Sequence, residues 1–390
     1  MNTTLNTFTH SANPEFSEQK IGETTVLRKQ NDDSRIILDP GLQHTAVCIS
    51  HVGKINPLIP QISYRGYDVQ TLAVENRFAE VAHLLIEGES KADGAFERLL
   101  IASTIERLPA TRALWSSMPD SPLTSFESAA VLLAGADAKN TGREETSAYV
   151  IGAMAAATMV FHDPIGQHTN IIDSNRDDFV SLILAGCFGQ QPKAAAYKAL
   201  NEFLILHAEH GMNCSTLAVR TVVSTGGEAY DAIVAGIAAF KGPLHGGASR
   251  IVGEILDILA ASGEDIERFI QRKLDSKERI HGFGHRIYRK EDPRAAFMRK
   301  NLECEQNHLS RYEKIALSLA QAAIRIEKFR ERGIAVNPDL FNGLLLRRAG
   351  FVSSENTALL CLSRSAGWLA HHFDSINTKE PLLRPQELSA

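Results

Sequence analysis

Four segments of the chain carry residues that neither a helix nor a core requires. The first is His207-Ala-Glu-His210-Gly-Met-Asn213-Cys-Ser215, at the end of an apolar run. The second is Lys241-Gly-Pro-Leu-His245-Gly-Gly-Ala. The third is His281-Gly-Phe-Gly-His285-Arg-Ile-Tyr-Arg289-Lys-Glu-Asp-Pro-Arg294. The fourth is Asn337-Pro-Asp339-Leu-Phe-Asn-Gly, followed by Ser363-Arg364-Ser-Ala-Gly-Trp368. His245 stands on a glycine-flanked turn, where backbone and side chain can both approach a ligand. As a bare motif it also fits a loop histidine that caps a neighbouring helix. His285 lies between Gly284 and a run of cations; Gly282-Phe-Gly284 lacks the flanking strand and helix of a dinucleotide fingerprint.

His207 and His210 are three apart, close enough on a helix to converge on one ligand. Their spacing is not that of zinc proteases, and no third ligand stands nearby, so no metal is expected. Asp339 follows a proline between helices, which suits an N-cap as well as a base. Arg364 sits among Ala, Leu and Trp and needs an anionic partner if buried; a ligand carboxylate would serve. Two loop histidines, one loop carboxylate and several arginines suit proton abstraction beside a carbonyl. The substrate would bear carboxylates, and hydrogen bonds would stabilise the developing charge.

Charge counting agrees only at the right scale. The 390 residues carry 41 Lys and Arg against 46 Asp and Glu, a net of -5, which argues against a general nucleic-acid binder. Residues 271–300 hold ten cations and four acids, a local net of +6, with Arg286, Arg289 and Arg294 near Gly and Pro. Arginine forks in such a loop suit carboxylates or phosphates, although a solvated basic face has the same composition. The five cysteines are scattered without a CxxC pair, as reduced thiols of a cytoplasmic protein would be. Met1–Asp33 lacks the apolar core of a signal peptide, and the run Ile151–Phe161 is too short to span a bilayer.

The elements that must position these residues read as helices. Phe78, Val81, Ala82 and Leu85 line one helical face, and Gly88 stands at its C-terminal end. Ala-rich segments 126–138 and 146–161 predict helices buried on most sides. Further helices are expected over 194–209, 229–240, 250–261, 311–332 and 355–373. Short strands are expected at Thr45–Ser50 and Gln61–Tyr64, and residues 1–34 as a flexible arm. With no alternation of strand and helix, the expected fold class is mainly α with a small β element near the N-terminus.

These segments resemble the citrate synthase family. The resemblance is carried by Tyr64-Arg-Gly-Tyr67, the His-Ala-Glu-His…Asn…Ser-Thr run, Gly-Pro-Leu-His-Gly-Gly-Ala and Gly-Phe-Gly-His-Arg-x-Tyr-x4-Asp-Pro-Arg. Asn-Pro-Asp-x-Phe-x-Gly, Arg-x-x-Gly-Trp-x-Ala-His and Arg384-Pro385 follow in the family's order, from about residue 40 onward. It implies a two-domain helical fold: 35–247 plus 345–390 as a large domain, and 248–344 as a small domain closing over the site. It also implies condensation of an acyl-CoA, acetyl-CoA first, with a 2-oxo acid, oxaloacetate first, then thioester hydrolysis. By this resemblance Asp339 is the base, His245 holds the thioester oxygen, and His285 polarises the keto group. His210, Arg294 and Arg364 would hold carboxylates, and Arg384 would come from the second subunit of a homodimer. Arg289 with Gly282, Phe283 and Gly284 would border CoA, which is a substrate, so no cofactor is implied. His207, Asn213 and Ser215 would support the site.

The chain departs from the family at Gly211 and Cys214, and the Asp-Gly that commonly precedes the first Tyr-Arg-Gly is replaced by Lys54-Ile-Asn-Pro. Synthases of 2-methylcitrate, alkylcitrates or phosphonate analogues share these motifs and stand as alternatives. The reverse lyase reaction, a non-catalytic binding protein and a metalloenzyme on His207 and His210 are further readings. No membrane or nucleic-acid partner is expected.

Overall fold

The computed structural model describes residues 16–21, 24–29, 35–39, 41–42, 45–89, 94–137, 141–285, 287–288, 290–331 and 333–385. Two compact units emerge: Met1–Ile49 with Glu380–Ala390, and Ser50–Lys379. The first contains an antiparallel sheet of β1 (Phe16–Ile21), β2 (Thr24–Lys29) and β3 (Arg35–Leu38), ordered β1-β2-β3. Part of the stretch expected as a flexible arm, 1–34, is therefore strand; the rest of that arm lies outside the described residues. Thr45–Ser50, expected as a strand, is irregular. Among the described residues its β-branched side chains find no partner strand.

The second unit opens with a small antiparallel sheet, β4 (Gly53–Asn56), β5 (Gln61–Tyr64) and β6 (Tyr67–Asp68). Helices follow: α1 (Val69–Glu75), α2 (Phe78–Glu87), α3 (Ala95–Trp115), α4 (Leu123–Asp137), α5 (Arg143–His162) and α6 (Thr169–Asp173). Next come α7 (Phe179–Phe188), α8 (Ala194–His207), α9 (Cys214–Ser224), α10 (Ala229–Phe240), α11 (Gly247–Ser262) and α12 (Ile266–Asp275). The last are α13 (Pro293–Cys304), α14 (Arg311–Arg325), α15 (Glu327–Glu331), α16 (Asp339–Ala349) and α17 (Asn356–Asn377). Among the described residues no helix is long and apolar enough to cross a membrane.

The sequence periodicity accounts for the interior helices. Phe78, Val81, Ala82 and Leu85 are all buried on α2, which ends at Gly88 in the left-handed region with φ 88°. Helix α5 is buried from Ser147 to Val160 except at Tyr149, because its Ala and Gly residues let α3 approach closely. A Cβ on Gly152 would come within 3.0 Å of the Thr104 backbone nitrogen, so that approach needs glycine. The single helix expected over 311–332 breaks at Ile326, which is extended at φ -73°, ψ 113° and separates α14 from α15. Helix α17 is buried along nearly its whole length and packs against α8, α9 and α10. That central position puts Arg364 and His371 behind the ends of the surrounding helices.

Candidate active site

Three breaks between helices meet at the site. Helix α8 ends at His207, and its free carbonyls are taken up from two sides. From β5, the Tyr64 hydroxyl lies 3.1 Å from the Ile205 carbonyl oxygen and 3.0 Å from that of Glu209. From α17, Arg364 Nε donates to the His207 carbonyl at 2.7 Å and Gly367 N to that of Ala208 at 3.1 Å. A Cβ at Gly367 would lie 2.3 Å from the Ala208 oxygen, so this contact explains the glycine of the Gly-Trp pair. The Arg364 guanidinium is buried, and beyond this bond its Nη groups donate no hydrogen bond among the described residues. A buried, unfilled arginine fork is a carboxylate receptor.

The second break is the loop before α11. His245 N and Gly247 N both donate to the Gly242 carbonyl, at 2.9 and 3.1 Å, which folds the turn tightly. A side chain at Gly247 would meet the carbonyl oxygens of Lys241 and Gly242 at 2.8 Å. His245 Nε2 lies 3.0 Å from Ser215 Oγ and 3.3 Å from Asn213 Oδ1. Asn213 is also the N-cap of α9, accepting from Ser215 N and Thr216 N at 3.1 Å each. Trp368 Nε1 donates to Ser215 Oγ at 3.3 Å. Burial, then the Arg364 charge, lowers the His245 pKa to about 4, so the ring is neutral near pH 7.

The third break joins the His285 loop to the start of α16. Phe283 bridges Val336, Asn337 N donates to the Gly282 carbonyl at 3.0 Å, and Asn337 Nδ2 donates to that of Gly284 at 2.9 Å. Gly282 and Gly284 sit at φ 90° and 82°, which L-residues rarely adopt, so the glycines are required by this pairing. Asn337 Oδ1 in turn accepts from Asp339 N at 3.0 Å. One asparagine thus couples His285 to Asp339. The Asp339 carboxyl is pushed up to about 6 by burial, against the lowering pull of Arg294 and Arg279.

His285 has a defined tautomer. The backbone N–H groups of Ile287 and Tyr288 donate to its Nδ1 at 3.0 and 3.2 Å, so Nε2 carries the proton of the neutral ring. Burial lowers its pKa to about 4, although Asp292 opposes the shift. Its Nε2 is 3.4 Å from Asp292 Oδ2, and His210 Nε2 is 3.9 Å from the same oxygen. Asp292 is fully buried and receives Arg294 Nε and Nη2 at 3.0 and 2.8 Å. Burial pushes the Asp292 carboxyl up, but Arg294 outweighs it and holds the pKa below the ordinary value. His210, His285 and Asp292 form the one group of potential metal ligands among the described residues. Both Asp292 oxygens face Arg294, and burial followed by the charges of Arg294 and Arg364 holds His210 well below its ordinary pKa. A site built this way attracts anions more than cations.

Several expected residues therefore meet. His245 joins Asn213 and Ser215; His285 joins His210 and Arg294; Arg364 anchors on His207. Asp339 is tied to the His285 loop through Asn337. The Phe283 side chain is buried against Phe329, with ring centroids 5.7 Å apart. Arg384 is exposed and belongs to the first unit. Arg289 lies outside the described residues.

Sequence reasoning overlooked Asp292, Glu209 and His371. Asp292 reads as the N-cap that precedes Pro293, and it is that as well, accepting from Arg294 N at 2.9 Å. Glu209 Oε1 receives His371 Nε2 at 3.1 Å and the Gly211 backbone N–H. His371 Nδ1 accepts from Arg220 Nη2 at 2.9 Å, and Arg220 Nη2 pairs with Asp374 at 2.6 Å. The signal available for Glu209 was an acid directly between two site histidines.

Residues 41–386 match the family model described as "Citrate synthase, C-terminal domain". The chain is 30% identical to the 2-methylcitrate synthase of Mycobacterium tuberculosis over 95% of both proteins. It is 30% identical to the glyoxysomal citrate synthase of Cucurbita maxima, covering 96% of this chain and 78% of that protein. Its fold superposes with TM-score 0.77 and 26% identity on citrate synthase from Thermoplasma acidophilum, solved as a ternary complex with carboxymethyl coenzyme A and oxaloacetate. That likeness covers 90% of this chain and 96% of the solved one.

Proposed function

The chain belongs to the citrate synthase family, and on that footing we propose how its own residues carry out the family's condensation. It is an enzyme that joins an acyl-CoA to oxaloacetate and hydrolyses the thioester to a citrate-like product. The acyl donor in this reading is acetyl-CoA. The single observation that carries the assignment of roles is the strand-like pairing of 282–284 with 335–337, which couples the neutral His285 to Asp339.

Asp339, with a pKa near 6, is mostly ionised at pH 7 and more basic than an ordinary carboxylate. It takes a proton from the acyl carbon next to the thioester. The oxygen of the resulting enolate accepts a hydrogen bond from His245. Ser215 Oγ, which donates to Asn213 Oδ1 at 2.6 Å and accepts from Trp368 Nε1, holds His245 Nε2 at 3.0 Å and so orients the ring. His285, protonated on Nε2, donates to the keto oxygen of oxaloacetate and turns its carbon into a better electrophile. Each such pre-aimed donor is worth ~3 kcal/mol of barrier. Arg364 and Arg294 hold the carboxylates with His210, and water then hydrolyses the citryl thioester.

CoA is a substrate here and no cofactor enters. Gly282–Gly284 would pass beside its adenine, with Arg289 on a phosphate. The active form would be a cytoplasmic homodimer in which Arg384 completes the partner's site, and residues 248–344 would form the closing domain. A second reading, propionyl-CoA as donor, is supported by the 2-methylcitrate synthase relative at the same 30% identity as the citrate synthase. A matrix of 2-oxo acids against acetyl-, propionyl- and longer acyl-CoA, read by thiol release, tests both. The fastest pair should be oxaloacetate with acetyl-CoA; a higher kcat/KM for propionyl-CoA would replace the donor. No release with any pair would overturn the function.

A further inference from the structure

Helices α8, α13 and α16 each place one end in the active site: His207 ends α8, Arg294 lies in the first turn of α13, and Asp339 begins α16. Away from those ends the three helices line a pocket of about 130 Å³ that is partly open to solvent. Apolar Met298, Leu302, Phe341 and Leu344 line it together with Glu202 and Arg348. At 1.5 Å rise per residue, Glu202 lies ~8 Å along α8 from His207, and Met298 ~6 Å along α13 from Arg294. The cavity is thus one or two helical turns from the catalytic groups, yet it includes none of them.

Its charges are unequally served. Arg348 pairs through Nη1 with Glu305 at 2.7 Å and through Nε with Glu313, so its fork is occupied. Glu202 is only 5% exposed and accepts no hydrogen bond among the described residues. Its nearest cation, Lys198 Nζ, stands 3.8 Å away on a side chain 64% exposed to solvent. Burial accordingly raises the Glu202 pKa, with Lys198 opposing it. A mostly buried carboxylate that faces a solvent-open pocket, with Lys198 its one close cation and Arg348 farther off, can take a further cationic partner.

We propose that this cavity is a binding site for a small organic cation with a short apolar body, a protonated amine of about six heavy atoms. The ammonium group would sit on Glu202 in place of Lys198, and the hydrocarbon would lie on Met298, Leu302, Phe341 and Leu344. This site is independent of the catalytic reading, and binding can be followed without turnover. Occupancy bridges three helices that end in the active site, so it raises the thermal midpoint of the protein.

The probe is n-butylammonium chloride, with n-butanol and sodium butyrate as neutral and anionic isosteres, titrated by calorimetry and by thermal shift. The amine should bind at least tenfold more tightly than either isostere. Glu202→Gln should weaken it at least tenfold, while Lys198→Ala, which removes the competing cation on the surface, should tighten it several-fold. Leu302→Phe, which fills the void, should abolish it and serves as the check if Glu202→Gln folds poorly. Equal binding of butanol, or amine affinity unchanged in both Glu202→Gln and Leu302→Phe, would overturn the proposal. Failure of the amine to bind at millimolar concentration would do the same.

Discussion

Replacing Asp339 with Asn should remove turnover and at the same time stabilise the protein in a pH-dependent way. Burial raises the Asp339 pKa from 3.8 to about 6 in the folded chain. Between those two values the native state holds a proton that the unfolded chain has lost, so native stability falls as pH rises from about 4 through 6. A shift of about 2.2 units corresponds to about 3 kcal/mol lost in full by pH 8, about 1.6 by pH 5 and about 0.6 by pH 4. Asparagine keeps the shape but cannot ionise, so the variant escapes this cost. Using ~2.1 cal/mol/K per residue over 390 residues, about 3 kcal/mol becomes a rise in Tm of ~4 °C at pH 8. The assay is differential scanning calorimetry of both proteins at pH 4, 5, 6 and 8. A variant no more stable than wild type at pH 8, or a difference that does not shrink toward pH 4, would refute the reasoning. It would show that Asp339 is not a strained, buried base.

The same pKa fixes the rate profile: kcat/KM should rise with pH along a limb of apparent pKa near 6, while His245 and His285, near 4, add none above pH 5. Stopped-rate thiol release from pH 5 to 8 reads it. Asp292→Asn strips the buried Arg294 of its bidentate partner; it should cost ~3–5 kcal/mol of stability and raise the oxaloacetate KM more than it lowers kcat. Urea melts with steady-state kinetics check both parts. Gly247→Ala forces the His245 turn apart against the Gly242 and Lys241 carbonyls, so kcat should drop by 10²-fold or more while oxaloacetate binding by calorimetry persists. Mixing Asp339→Asn with Arg384→Ala protomers should restore activity to about a quarter of wild type if sites are shared. Half the dimers would then be mixed, and each would have one intact site.

Where the side chains repeat with helical period, the fold was legible. Phe78 to Leu85 and the segment 229–240 became helices with the expected faces buried. Local composition misled at two places. Thr45–Ser50 looks like a strand, but a strand needs a partner, and pairing is not a local property. Within 16–29 the opposite holds: polar sequence such as Phe16-Ser-Glu-Gln-Lys-Ile21 forms strands because β2 pairs it in register. The site divides along the same line. His245, Asp339 and Arg364 stand out because glycine, proline or apolar neighbours make them conspicuous. Glu209 and His371 are 162 positions apart in sequence and meet only through the packing of α17 behind α8. Asp292 was hidden by doing two jobs, capping α13 and holding Arg294.

The central claim is that Asp339 removes the acyl proton within an otherwise intact oxaloacetate site. It is tested most directly by comparing wild type with Asp339→Asn in two assays on the same preparations: CoA thiol release with acetyl-CoA plus oxaloacetate, and calorimetric binding of oxaloacetate. The account predicts thiol release by wild type only when both substrates are present. In the variant, turnover should fall at least 10³-fold while the oxaloacetate Kd stays within about threefold. Turnover by the variant within tenfold of wild type, with oxaloacetate still bound, would contradict it.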